Sequence, residues 1–181
     1  MAVLVEGISV IVRARPIVER YEGGWDAFVA DCPSTTLCAD GQLVCVSFMD
    51  PRDAQQFASI LTARGLTHRA DGEAVDFVIA DQQEGLSAAC KWATLGKVPA
   101  PGAETERVVA CRLAGSDNQT LMTPDDWSYD GSLSERFGTK KTDASSDHLE
   151  FLRSEGGTDV YRDTETGEEV MVRRTGSSSD R

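Results

Sequence analysis

The stretch from Thr36 to Leu66 constrains the fold most strongly, because its turn and its helix ends are each marked by residues that suit them. Asp40-Gly41 separates two runs with the alternating pattern of strands. Glycine accepts a positive φ and aspartate tolerates it, so this pair favours a tight hairpin turn. The second run is apolar on both faces, which predicts a strand that is covered on both sides.

A helix is predicted immediately after this hairpin. Asp50 stands at an N-cap position, and Pro51 follows at the first helical position, where its missing N–H costs nothing. Arg64-Gly65 has the cation and glycine that are typical of a helix end. An apolar stripe with helical spacing runs between these ends and consists of Ala54, Phe57, Ala58 and Leu61.

The order of predicted elements in the N-terminal half is βαββαβ, which is typical of a ferredoxin-like α+β unit. Before the hairpin we predict a central strand over Ala2–Arg13 with a bulge or a close approach at Gly7, then a helix ending near Tyr21 and another from Gly24 to Asp31. After it we predict a strand over Ala74–Ala80. Asp71-Gly72 predicts a turn before that strand, with an extra hairpin strand at 67–69.

The C-terminal half is predicted to be mostly β and rich in loops. The predicted strands are 91–98, 107–113 and a last hairpin over 159–173, with a connector at 99–102 and a helical turn within 120–137. We therefore expect a ferredoxin-like unit at 1–98 and a β-rich acidic annex or small second domain at 103–175. The tail at 176–181 is predicted to be disordered.

The charge is strongly negative, at −12, and it is unevenly distributed. Residues 116–169 carry 14 of the 30 acidic residues but only 5 of the 18 Lys and Arg residues. This balance argues against nucleic acid or an anionic membrane as a partner and permits a basic protein partner. No apolar run has the length of a membrane span, and the first residues lack the basic region of a signal peptide, so we predict a cytoplasmic protein.

Five cysteines at 32, 38, 45, 90 and 111 form no C-x-x-C pair, which favours reduced core thiols over a disulfide framework. With Asp40-Gly41 at the centre of the turn, Cys38 is predicted to face Leu43 and not Cys45.

Sequence motifs give little support for a metal, a cofactor or a catalytic centre. Asp126 to Gly131 copies the opening of an EF-hand loop, but Phe137 occupies the twelfth position, where the bidentate Glu belongs. His68 and His148 stand alone. Cys90 beside Lys91 is the best thiol nucleophile, against the alternative of a small residue packed under Trp92. We predict no metal, no cofactor and no catalytic residue.

Aromatic side chains in irregular segments give the best candidate for a binding surface. Trp25 lies on the apolar stripe of the first helical region and is predicted to be in the core. Trp92 and Trp127 instead occur among polar residues, where they either anchor loops or contact a partner. The predicted partner-binding residues are Trp92, Asp125, Asp126, Trp127, Tyr129 and Asp130.

Several segments are similar to a family of small uncharacterised bacterial proteins. They are VLVEGISVIVR at the start, Gly24-Trp25, Thr36 to Asp40, Phe48 to Pro51, and Asp81-Gln82-Gln83. The resemblance covers most of the chain and implies no activity.

Three function classes follow from these observations. The leading one is a non-enzymatic acidic interaction protein, in its most concrete form an immunity-type protein or inhibitor that neutralises a basic toxin. The second is a small-molecule binding or sensing module, which rests on analogy with other ferredoxin-like units. The third is an enzyme whose site is assembled from residues distant in sequence. The pattern specifies no oligomeric state.

Overall fold

A computed structural model of the chain describes residues 1–33, 35–137, 149–155, 158–163 and 169–173. The chain forms two units, Met1–Gly138 and Thr139–Arg181. The described residues have a mixed α+β structure with more strand than helix. None of the helices in the described ranges is long and apolar enough to cross a membrane.

The described part of the first unit contains four helices and eleven strands. The helices are α1 Ala14–Arg20, α2 Gly24–Asp31, α3 Pro51–Ala63 and α4 Leu133–Phe137. The strands are β1 Ala2–Leu4, β2 Ile8–Arg13, β3 Cys38–Ala39, β4 Leu43–Phe48, β5 Arg69–Ala70, β6 Glu73–Ala74, β7 Phe77–Asp81, β8 Gly85–Leu86, β9 Ala93–Ala100, β10 Ala103–Leu113 and β11 Leu121–Met122.

A five-stranded antiparallel sheet with the order β3-β4-β2-β7-β8 lies at the centre of this unit. Successive residues of a strand point to opposite faces, and here both faces are buried. One face packs against the helices, through β-branched and aromatic side chains. This first cluster includes Val10, Val12, Val44, Val46 and Phe77 from the sheet, and Ile17, Phe28, Phe57 and Leu61 from the helices.

Helix α3 forms as its end signals predict. The Asp50 carboxylate accepts a hydrogen bond from the Arg52 N–H at 2.8 Å, and Pro51 is the first helical residue. The four residues of the predicted stripe are all buried, and burying a Phe or Leu side chain contributes roughly 1.5–3 kcal/mol each. Local capping and the apolar stripe therefore specify the same helix.

A four-stranded sheet with the order β11-β1-β10-β9 belongs to a second hydrophobic cluster. The alternate residues of the five-stranded sheet take part in it, including Ile11, Cys45 and Val78. Val3 from β1 and Cys111 from β10 are completely buried in the same cluster. The five-stranded sheet therefore has helices on one face and a second sheet on the other.

The predicted single strand over Ala2–Arg13 is wrong, because β1 and β2 belong to different sheets. Strand β1 pairs with β10 and β11, whereas β2 pairs with β4 and β7. The chain changes sheets at Gly7, where φ is +52°. A Cβ at this position would lie 2.6 Å from the Phe48 carbonyl oxygen, so the close approach requires glycine.

The hairpin predicted between β3 and β4 is confirmed, but the prediction that Cys38 does not face Cys45 is wrong. The observed register places Cys38 directly opposite Cys45. The Asp40 carboxylate accepts hydrogen bonds from the N–H groups of Gln42 and Leu43, at 2.8 and 2.7 Å. Asp40 therefore precedes the turn, and Gly41 and Gln42 form the centre of the turn.

The two predicted helices before the hairpin are confirmed as α1 and α2, and a turn that ends at Gly23 separates them. The prediction that Trp25 lies in the core is wrong, since 38% of its surface is exposed. Its ring stacks on Phe28 with the centroids 5.6 Å apart. Phe28 itself is fully buried, so it takes the core position in α2.

Strands β9 and β10 form a long hairpin that includes the predicted connector at 99–102. The boundary predicted between the ferredoxin-like unit at 1–98 and the annex at 103–175 falls within this hairpin. A turn at Pro101-Gly102 joins the two strands, and Gly102 has a φ of +75°. The turn predicted at Asp71-Gly72 is confirmed and joins β5 to β6, which form a two-stranded sheet. The single strand predicted over Ala74–Ala80 is wrong, because this segment is divided between β6 and β7, which belong to different sheets.

The second unit contains a three-stranded antiparallel sheet, β12 Leu149–Glu155, β13 Thr158–Asp163 and β14 Glu169–Arg173. The predicted last hairpin is confirmed as β13 and β14. Arg153 of β12 donates two hydrogen bonds to the Glu169 carboxylate at 3.1 and 3.3 Å. Residues 139–146 and the tail at 176–181, which is predicted to be disordered, lie outside the described residues.

Candidate functional site

Trp92 lies just before β9 and is held by contacts within the chain. Its indole N–H donates a hydrogen bond to the Ala74 carbonyl oxygen at 3.1 Å. The Arg13 guanidinium lies over the ring, 5.8 Å from the centroid, in cation–π geometry. The half-buried ring also packs against the cluster between the two sheets. These contacts hold Trp92 by packing within the chain, as expected for an aromatic side chain that anchors a loop.

The acidic loop, defined here as residues 125–130, joins β11 to α4. Asp125, Asp126 and Asp130 are exposed, whereas Trp127 and Tyr129 are half-buried and pack against the cluster between the sheets. The backbone N–H of Trp127 donates a hydrogen bond to the Pro124 carbonyl oxygen at 3.2 Å and closes a turn, in which Asp126 has a φ of +58°. The aromatic rings thus attach the loop while its three carboxylates face solvent.

Helix α4 fixes the C-terminal end of the acidic loop. The Ser134 N–H donates to the buried Glu6 carboxylate at 2.8 Å, and the Gln82 side-chain amide donates to the Leu133 carbonyl oxygen at 3.4 Å. The Gln82 side-chain oxygen accepts from the Gly7 N–H at 2.9 Å. The segment therefore docks where the chain passes from one sheet to the other. A loop held in this way loses little freedom on binding.

Two further carboxylates surround Tyr129. Its hydroxyl donates to Glu106 of β10 at 3.4 Å, and Glu135 accepts a hydrogen bond from the Gly131 N–H. Partial burial raises the pKa of Tyr129, and the negative charges of Glu106, Glu135 and Asp130 raise this pKa further. The surroundings of Tyr129 are therefore negatively charged, and two of the acids responsible, Glu106 and Glu135, lie outside the acidic loop.

Sequence reasoning did not identify Glu106 or Glu135 as part of this surface. A signal for Glu135 exists, because Ser132-x-x-Glu135 has the spacing of a capping box. The Ser132 hydroxyl accepts from the Glu135 N–H at 3.1 Å, as that motif predicts. Glu106 is far from the loop in sequence, and no local pattern relates the two.

The acidic loop does not assemble the ligand set of an EF-hand. Helix α4 begins at Leu133, within the twelve positions that the pattern would need for its loop. Across the described ranges, no three His, Cys, Asp or Glu side chains converge as a metal ion would require.

The candidate nucleophile Cys90 is half-buried and packs against the cluster between the sheets. Lys91, which was considered as its activating cation, forms an ion pair with Glu73 at 2.8 Å. His68 stacks on Phe77 with the ring centroids 4.5 Å apart, and its burial lowers its pKa. His148 lies outside the described residues.

Comparison with protein-family models, curated proteins and solved structures finds no significant match to this chain. The interpretation of the site rests on its own geometry and charge.

Proposed function

We propose that the protein is a non-enzymatic interaction protein whose acidic loop binds a basic protein partner. One observation carries this proposal: three exposed carboxylates project from a loop that two half-buried aromatic rings fix to the core. Glu106 and Glu135 extend the negative surface around Tyr129. The most concrete form of the function is an immunity-type protein or inhibitor that neutralises a basic toxin.

Electrostatic complementarity supports a role in rapid and specific association. Exposed carboxylates attract a cationic partner over about a Debye length, ~8 Å at physiological salt. Such steering raises association rates by roughly 10- to 1000-fold and depends steeply on ionic strength. The net charge of −12 acts in the same direction as the loop. It also disfavours nucleic acid, which requires a cationic surface.

Capture from cells of the source organism tests this proposal. The wild-type chain is immobilised beside the variant Asp125→Asn/Asp126→Asn/Asp130→Asn, bound at about 0.05 M salt and eluted at about 0.5 M. The proposal expects a basic protein that the wild-type chain retains, that the variant fails to retain, and that elutes as salt rises. Equal retention of the same protein by wild type and variant would contradict it.

A matched control separates the acidic loop from the total charge. The variant Asp71→Asn/Glu84→Gln/Asp117→Asn removes three exposed acids from other parts of the first unit, so both variants change the net charge from −12 to −9. If the loop is the binding surface, the control retains the partner. If only the total charge matters, the two variants lose it equally.

We also propose a cytoplasmic location and a ferredoxin-like assignment for the sheet that carries α1, α2 and α3. The five free thiols suit a reducing compartment. The order β3-β4-β2-β7, with α1 and α2 between β2 and β3 and with α3 between β4 and β7, supports the split βαβ assignment.

A further inference from the structure

Cys38 and Cys45 form a pair of thiols across two neighbouring strands. Cys38 belongs to β3, a strand of two residues at the edge of the five-stranded sheet, and Cys45 lies directly opposite on β4. Both side chains are buried, and the neighbouring Cys38 thiol raises the pKa of Cys45. Neither cysteine takes part in the proposed partner-binding surface.

The spacing of such a pair is compatible with a disulfide. Asp40 donates its N–H to the Leu43 carbonyl oxygen at 3.1 Å, so these residues form a hydrogen-bonded pair of the ladder. Alternation along an antiparallel ladder makes Cys38 and Cys45 the next hydrogen-bonded pair, with Cα atoms roughly 5.5 Å apart. Disulfides span Cα separations of about 4.4–6.8 Å.

The same geometry favours a bond that is readily reduced. In a hydrogen-bonded pair the Cβ atoms are near 5.5 Å apart, whereas a disulfide requires about 3.5–4.5 Å. The two strands must therefore draw together when the bond forms, and strain of this kind makes a disulfide more reducible. Strand β3 lies at the edge of the sheet, whereas β4 is paired on both sides, so β3 is the less constrained of the two strands.

We propose that Cys38 and Cys45 are a reversible redox-modification site that forms an intramolecular disulfide in the presence of a low-molecular-weight disulfide. Cys38, which is 5% exposed and lies at the sheet edge, reacts first, while the fully buried Cys45 resolves the intermediate. The order of reaction follows from access, because a small reagent reaches the edge strand before the central one.

The reaction is a double thiol–disulfide exchange. The Cys38 thiolate attacks one sulfur of the small disulfide, breaks its S–S bond and releases one small thiol. The Cys45 sulfur then attacks the Cys38 sulfur of the mixed disulfide and releases the second small thiol. The protein loses two electrons, the reagent gains them, and the two thiol protons end on the two small thiols. A dithiol reductant reverses both steps.

One other cysteine near Cys45 could compete with Cys38 as its disulfide partner. Ser9 lowers and Cys111 raises the pKa of the Cys45 thiol, so both side chains lie in its surroundings. The neighbouring Cys38 thiol and complete burial raise the pKa of Cys45. Cys111 is the alternative partner, but it lies on β10 of the other sheet and has no register contact with Cys45.

Peptide mapping of the folded wild-type chain tests the proposal directly. The protein is incubated with oxidised glutathione, denatured in iodoacetamide and cleaved before aspartate, which separates residues 31–39 from residues 40–49. We expect these two peptides to be joined, the number of alkylated cysteines to fall from five to three, and dithiothreitol to restore all five. Circular dichroism checks that the protein remains folded during oxidation.

Variants assign the bond to its two sulfur atoms. Cys32→Ser and Cys111→Ser should keep the joined peptides, whereas Cys38→Ser and Cys45→Ser should lose them. The proposal is overturned if the folded wild-type chain gives no joined peptides, if Cys45 joins Cys111, or if glutathione stays attached to Cys38 without displacement. Residues 31–39 contain both Cys32 and Cys38, so fragmentation of the joined wild-type peptides between these two cysteines assigns the bond even if a variant does not fold.

Discussion

Asp76 is a fully buried carboxylate that joins three segments of the first unit. One carboxylate oxygen pairs with Arg20 of α1, and the other accepts the Thr67 N–H at 2.7 Å. Its own carbonyl oxygen accepts the Arg13 N–H at 2.9 Å. A buried carboxylate needs such partners, because an uncompensated charge is costly in the interior.

We predict that Asp76→Ala lowers the free energy of unfolding by about 2 kcal/mol, since it removes two charge-assisted hydrogen bonds and leaves the Thr67 N–H without this acceptor. The figure allows for the half-exposed Arg20 partner, whose charge solvent screens. Glu19→Ala is the control, because Glu19 also pairs with an arginine of α1 but is exposed, and it should cost clearly less than Asp76→Ala. Urea unfolding measures both, and equal losses would contradict the prediction.

Gly7→Ala should destabilise the first unit by roughly 2 kcal/mol or more, because the added Cβ meets the Phe48 carbonyl oxygen in a backbone conformation with positive φ. Gly41→Ala is the matched control. It also has a positive φ, but nothing lies within 4 Å of the added Cβ, so only the conformational cost of about 1 kcal/mol applies. The difference between their unfolding midpoints tests whether the close approach at Gly7 matters.

At the scale of elements, α3 depends on the charge of its N-cap. Hydrogen bonds from the Arg52 side chain and backbone lower the pKa of Asp50 to about 2. A carboxyl group whose pKa is lowered on folding stabilises the folded state above its unfolded pKa, and this contribution is lost as pH falls through the folded pKa.

We therefore predict that Asp50→Asn lowers the unfolding midpoint at pH 7, and that its difference from wild type disappears as pH falls from about 4 to about 2. Asparagine keeps an N-cap acceptor, so the variant isolates the charge. Asp50→Ala, which removes the acceptor as well, should be less stable than Asp50→Asn across the whole range. A constant difference between wild type and Asp50→Asn down to pH 2 would contradict the assigned pKa.

The helix α3 could be predicted because its signals are local: a cap, a first-position proline and a stripe within one segment. The separation of β1 from β2 could not. An apolar run fits one central strand as well as two strands in different sheets, and the choice depends on pairing with β10, about a hundred residues away. The thiol register was missed because Asp-Gly predicts a turn without fixing its centre, and moving the centre by one residue shifts the pairing by two.

At the scale of the whole molecule, charge and aromatic content predicted the acidic loop as a candidate surface but not its construction. Trp127 and Tyr129 are half-buried, so the same loop packs its aromatic rings against the core and exposes its acids to solvent. Trp92 has its own partners in Arg13 and Ala74. The contributions of Glu106 and Glu135 arise from tertiary structure, which composition does not reveal.

The proposed role of the acidic loop is to steer a basic partner onto this protein. Its most direct test is the association rate constant of the captured and purified partner, measured against ionic strength for wild type, for Asp125→Asn/Asp126→Asn/Asp130→Asn and for Asp71→Asn/Glu84→Gln/Asp117→Asn. At low salt we predict that the loop variant associates about 10-fold more slowly than wild type, with a flatter dependence on ionic strength, and that the control stays within about 2-fold of wild type. Equal rate constants for wild type and the loop variant, unchanged by salt, would contradict the claim.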